Sequence, residues 1–240
     1  MHHFVRTALA AALIATGLTA QAGTVAFNGW AQGNGNAVNL SLSTPAYSFN
    51  SHAGAFKITL SNFSGVHSGF NGVFEAFCVE LTQSINLDRS YSDYSIVSAS
   101  SYFAARPNVA DRLTNLISYA NNNNLVGGAA QAFKDDQSTA LQLAVWNTVY
   151  DTDSTLAFSQ GAVLTDGSRF STDGPGNFMN ATSLLANAGS ASGYSLFVLQ
   201  SANQQDQMIW QRNAVPEPTS LALVALALGG AGFVSRRRKS

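Results

Sequence analysis

Cysteine is nearly absent: Cys78 is the single one in 240 residues. One thiol cannot staple its own chain, so no disulfide framework holds this fold. The thiol is buried and inert, pairs with another chain, or does chemistry. Charge is scarce as well, at 10% of residues, and much of the positive charge sits at the ends. Setting aside Arg6, Glu217 and the run Arg236, Arg237, Arg238 and Lys239 leaves seven basic against twelve acidic residues, so the body is acidic. That excludes a nucleic-acid footprint, which needs a basic face. Histidine is too sparse for a metal centre: beyond His2 and His3 there are only His52 and His67, without ligand spacing relative to each other or to Cys78. No phosphate loop or dinucleotide motif occurs, and Gly33-Asn34-Gly35 reads as a flexible turn. No metal and no cofactor are expected.

What is present begins at the two ends. His2, His3 and Arg6 make a basic start, Ala8 to Leu18 an apolar run, and Ala20-Gln21-Ala22 a small-residue cleavage site. Residues 1–22 therefore read as a signal peptide, with the mature chain starting near Gly23. At the other end, Val215-Pro216-Glu217-Pro218 precedes an apolar run from Leu221 to Val234, then Arg236, Arg237, Arg238, Lys239 and a last serine. As a helix, Thr219 to Val234 would be about 24 Å long at 1.5 Å per residue, a short span for a bilayer core of about 30 Å. The basic cluster marks its cytoplasmic end. The prolines stop the helix from running back into the body. Residues 215–240 resemble the PEP-CTERM sorting signal of Gram-negative bacteria, through Pro216, Glu217 and Pro218, the apolar helix and the basic stop. The resemblance implies export by signal peptidase, a transient inner-membrane anchor, and recognition and cleavage by an exosortase-type protease. Delivery to the cell surface or extracellular polysaccharide matrix follows.

Residues 23–214 are long enough for one domain with a substantial core. Ala55 to Leu60 alternates, with Phe56, Ile58 and Leu60 on one face, and Asn39 to Ser43 alternates too. Phe63 to Gly72 reads as a loop. Val73 to Leu81 reads as a strand whose alternation puts Cys78 opposite Phe77, Val79 and Leu81. Val109, Leu113, Leu116, Ile117 and Ala120 form a helical stripe behind Pro107. A second helix starts near Asp135 or Asp136 and runs through Tyr150, and a short third lies around Asn177 to Ala188. Tyr194 to Gln200 and Gln207 to Gln211 close the body as a strand pair. The expected class is α+β: a β-rich sandwich or barrel-like body with a helical insertion, flanked by the signal peptide and the transmembrane sorting helix.

Two segments could carry chemistry. Phe77-Cys78 lies on a strand; Leu141-Gln142-Leu143-Ala144-Val145-Trp146 lies on a helix, with Gln142, Trp146 and Tyr150 one turn apart. Singly, each has a plain reading: a small buried thiol and a satisfied core amide. Together they resemble the thioester domains of bacterial surface adhesins, which carry an aromatic-Cys strand motif and, far downstream, apolar-Gln-x-x-apolar-Trp on a helix. The resemblance implies an internal thioester between the Cys78 sulfur and the Gln142 side-chain carbonyl, which captures a surface amine or hydroxyl in a single turnover. Phe77, Trp146 and Tyr150 would shield the bond from water. Glu80, placed by alternation on the Cys78 face, would assist proton transfer. Two other readings stay open. A cysteine hydrolase would need His52 or His67 as its base. A non-covalent module for exopolysaccharide would use Trp30, Tyr47, Tyr91, Tyr94 and Tyr102 as stacking surfaces.

Overall fold

The computed structural model describes residues 22–43, 46–127, 132–151, 163–165 and 181–214. Its centre is a closed antiparallel barrel of six strands. These are β1 (Gly23–Trp30), β4 (Phe56–Ser61), β5 (Gly72–Cys78), β6 (Arg89–Ser98), β8 (Tyr194–Gln200) and β9 (Gln207–Arg212), hydrogen-bonded in the order β1-β4-β5-β9-β8-β6 and back to β1. Beside it lies a small sheet in which β2 (Asn36–Ser43) is flanked by β3 (Ala46–Ala53) and β7 (Val163–Thr165). The helices α1 (Ala99–Tyr102), α2 (Pro107–Asn122), α3 (Ala132–Tyr150) and α4 (Ala181–Ala188) all fall between β6 and β8. The body is thus the α+β arrangement expected, resolved as a barrel.

Alternation explains the barrel lining. Val25 and Phe27 pair with Leu60 and Ile58 across β1 and β4, and Phe56 pairs with Ala76 across β4 and β5. Directly paired residues share a face. Phe27 meets Phe56 and Tyr91 edge-on and packs near Tyr94, filling the lumen with aromatic rings. The outer face of β5, β8 and β9 is buried too: Phe77, Val198 and Met208 have no exposed surface, and α2 packs on β8. Phe77 stacks on Trp210 at 5.7 Å between ring centroids.

This double burial corrects the one-sided reading of β5. Cys78 is 1% exposed, as deeply placed as Phe77 on the opposite face. The strand also stops at Cys78, after which the chain leaves the ladder, with the Val79 N–H on the Asp206 carbonyl at 3.0 Å. Two further differences concern loops. Gly65–Phe70 is a 3₁₀ helix, and Arg89–Ser98 is a strand that the sequence pattern does not announce. The start expected for the third helix lies partly outside the described residues, as do both chain ends.

Strand directions fix where a site can form. β1 and β5 end, and β4, β6 and β9 begin, at the same mouth of the barrel. The β5–β6 connection (79–88), the β8–β9 connection (201–206) and the end of β3 gather there. Mouths of barrels are favoured places for ligand sites, because loops can vary there over a rigid base.

Candidate functional site

Helix α3 brings the second half of the site to that mouth. Every residue from Ser138 to Val149 is buried, the signature of a helix in the middle of a domain rather than on its surface. Most of its polar side chains are therefore committed to partners. Ser138 Oγ accepts the Ala55 N–H at 2.6 Å, and Thr139 Oγ1 donates to the Ala53 carbonyl at 2.7 Å. These bonds hold α3 against the β3–β4 link. At its N-terminal turn, the Asp135 carboxylate accepts the Gly35 N–H at 2.9 Å, and Asp136 accepts Asn36 Nδ2 at 2.7 Å. Gly33-Asn34-Gly35 is thus clamped rather than loose. Gly33 and Gly35 have φ of 57° and 64°, and a Cβ on Gly33 would fall 2.4 Å from the Asp135 carboxyl carbon. Only glycine suits both demands.

Gln142 sits one turn beyond Ser138 and meets Cys78 on both sides of its backbone. The Cys78 N–H donates to Gln142 Oε1 at 2.9 Å, and Gln142 Nε2 donates to the Cys78 carbonyl at 2.8 Å. Cys78 pairs with Gln207 of β9, but the β4 ladder ends opposite Ala76; the amide takes the place of the missing β4 neighbour, which is why a glutamine is stable in this apolar helix. The Cys78 thiol is free and donates to the Glu80 carbonyl at 2.8 Å. Burial pushes its pKa far up, against the weaker opposing pull of the Trp146 indole and the Glu80 backbone, so the thiol is protonated. Trp146 is 2% exposed, and its Nε1–H has no hydrogen-bond partner.

Cys78, Gln142 and Trp146 line one cavity of about 510 Å³. Trp30 and Phe56, stacked at 4.8 Å, and His52 come from the barrel rim and β3. Leu81, Thr82, Gln83, Ser84, Ile85 and Leu87 of the β5–β6 connection form one wall.

The remaining sequence candidates fall into different places. Tyr150 is outside the lining; its hydroxyl accepts the Leu81 N–H at 2.9 Å and so holds the wall from behind. Burial raises its pKa to about 12. Phe77 faces Trp210 on the other side of β5. The Glu80 carboxylate accepts from the Thr82 N–H and hydroxyl and from the Gln83 N–H, so it caps the turn that begins the wall. Among the stacking candidates, Trp30 lines the cavity. Tyr94 is fully buried and donates to the Gln205 carbonyl, and Tyr102 donates to Asp206 at 2.7 Å. Tyr91 accepts the Asn86 N–H at 3.0 Å. These three tyrosines pin loops, and the side chain of Tyr47 lies outside the described residues. His67 is on the 3₁₀ helix, outside the cavity, whereas His52 lines it. The cavity wall and His52's place in it escape the sequence because their common feature, emergence at one barrel mouth, depends on strand order. Among the described residues no cluster of metal-ligating side chains occurs, and no helix is long and apolar enough to cross a membrane.

Neither curated proteins nor solved structures give a match to the chain. A family model described as the PEP-CTERM protein-sorting motif matches residues 214–239. That range takes in Pro216, Glu217 and Pro218, the apolar segment and Arg236, Arg237, Arg238 and Lys239, all outside the described residues. The chain thus carries at its C-terminus the motif of exported proteins sorted to the cell surface.

Proposed function

We propose that the exported body is a covalent surface or matrix adhesin whose reactive group is a thioester between Cys78 and Gln142. The observation that carries this reading is the two-sided seating of the Gln142 amide on the Cys78 backbone, at the wall of a cavity open to the barrel mouth. Seating of this kind gives the proximity on which acyl transfer depends.

Formation follows from the same contacts. The thiol turns from the Glu80 carbonyl to the Gln142 carboxamide carbon. As the C–S bond forms, charge builds on Oε1, where the Cys78 N–H already donates. The C–N bond breaks and ammonia leaves, taking the thiol proton. In the later capture step a nucleophile attacks the same carbon, the C–S bond breaks, and the thiolate is released beside the unpartnered Trp146 indole N–H. One bond formed consumes the group, so the protein is not a turnover enzyme. The basic stop and Pro-Glu-Pro strip would serve an exosortase-type protease in a Gram-negative inner membrane, before release of the body to the surface or to exopolysaccharide.

Intact mass of the exported protein tests the reading. The thioester form is lighter by one ammonia and gains methylamine, while Cys78→Ala and Gln142→Ala gain nothing. Full unmodified mass with a native Cys78 open to alkylation returns the body to a non-covalent polysaccharide module built around Trp30.

A further inference from the structure

Resting on the thioester reading, we infer that the acceptor captured at this site is a carbohydrate hydroxyl, and that His52 takes its proton. Among the residues lining the cavity the titratable side chains are Cys78 and His52. His52 is exposed at the rim, its ring 6.4 Å from that of Trp30.

The walls argue for a neutral polyol rather than an ammonium. Among the described residues no carboxylate lines the cavity. The nearby Glu80 and Asp206 carboxylates are spent on the Thr82–Gln83 turn and on the Ser201 N–H with the Tyr102 hydroxyl. A lysine ammonium entering here would lose its hydration without gaining a counter-charge. The lining instead carries neutral polar groups: the hydroxyls of Ser51, Thr82 and Ser84 and the amides of Gln83 and Gln205, with Thr82 already donating to Glu80, Gln83 to the Ala202 carbonyl and Gln205 to the Glu80 carbonyl. A cavity of about 510 Å³ walled in this way suits a ligand whose hydroxyls both give and take hydrogen bonds. Trp30 adds an aromatic surface beside them.

A hydroxyl is a weak nucleophile near neutral pH and needs a base within reach, whereas an amine that enters uncharged does not. The step balances as follows. The hydroxyl oxygen attacks the Gln142 carbonyl carbon while its proton passes to His52. The C–S bond breaks, a glutamyl ester forms at residue 142, and the proton returns from His52 to the Cys78 thiolate.

The test exposes the exported protein, and its His52→Ala and His52→Gln variants, to glycerol and separately to methylamine, with intact mass as the readout. The expected result is an ester adduct with glycerol in the native protein. That adduct should form about 100-fold more slowly in both variants, in line with the usual size of general-base effects, while methylamine adds at an unchanged rate. Unchanged glycerol capture in the variants, or capture of methylamine alone by the native protein, overturns the hydroxyl assignment and leaves the thioester standing. Capture of neither probe, with full unmodified mass, overturns both.

Discussion

Gln142→Ala strips two hydrogen bonds from the Cys78 backbone and leaves a buried N–H and a buried carbonyl without partners. Each unsatisfied group costs about 1–3 kcal/mol. Cys78→Ala, by contrast, removes one sulfur and leaves both of those bonds in place. Neither variant can form the thioester, so the comparison lies between the two: Gln142→Ala should be less stable than Cys78→Ala by about 2–4 kcal/mol, measured by urea unfolding. Both variants abolish methylamine capture. Equal destabilisation would mean that the amide is not seated as described. Tyr150 offers a second measurement at this scale. Burial holds its phenol protonated up to about pH 12, above its ordinary value of 10.0. The stability tied to the neutral phenol is complete below pH 10 and is lost as pH rises through 12. Tyr150→Phe removes the acceptor for the Leu81 N–H, at a cost of about 1 kcal/mol at pH 8. Its urea midpoint should also fall less steeply than that of the native protein between pH 10 and 12. A residual alkaline slope is expected in the variant, because burial raises Tyr94 and Tyr102 in the same direction.

At the scale of the element, α3 acts as a positioning device, and its anchor is the Asp135 clamp on the β1–β2 turn. Asp135→Ala removes the acceptor of the Gly35 N–H and the weaker contact to the Asn34 N–H. A hydrogen bond to a charged group is worth about 1.5–3 kcal/mol. Hydrogen exchange should accelerate at residues 33–36 while β8 and β9 stay protected, since Ser138 and Thr139 still hold the helix to Ala53 and Ala55. Uniform acceleration through the barrel would show that the clamp is not local. Elements also mark how far the sequence was readable. β4 follows from strict alternation, β8 and β9 from their short apolar runs at the close of the body, and α2 from its apolar stripe and leading proline. β6 stays hidden because its ladder with β1 shifts register between Gly23 and Val25. Tyr94 and Tyr91 then face their partners three residues apart instead of two. The pairing of Cys78 with Gln142 was legible as a motif resemblance. The wall at 81–87 was not, because its place depends on which strands end at the same mouth.

The whole molecule places both expected processing points against the barrel. β1 begins at Gly23, the residue expected to start the mature chain, and pairs at once with β6. β9 ends at Arg212, and Asn213 is still held by its N–H on the Gly193 carbonyl at 2.8 Å and by the Ser195 hydroxyl at 2.6 Å. The sorting motif starts at residue 214. No slack separates the folded body from its address, so a cut before Arg212 would remove part of the strand that closes β5 to β8, and a cut before Asn213 would remove the residue that holds its end. Opening a barrel exposes two unpaired edges and its lumen, and the cavity that holds Cys78 and Gln142 opens with it. Processing compatible with a working site must therefore fall beyond Asn213. Mass spectrometry of the C-terminal peptide from the released protein should find a terminus within or after Ala214. A terminus inside 207–213 on protein that still captures methylamine would show that the barrel need not be closed for the site to act.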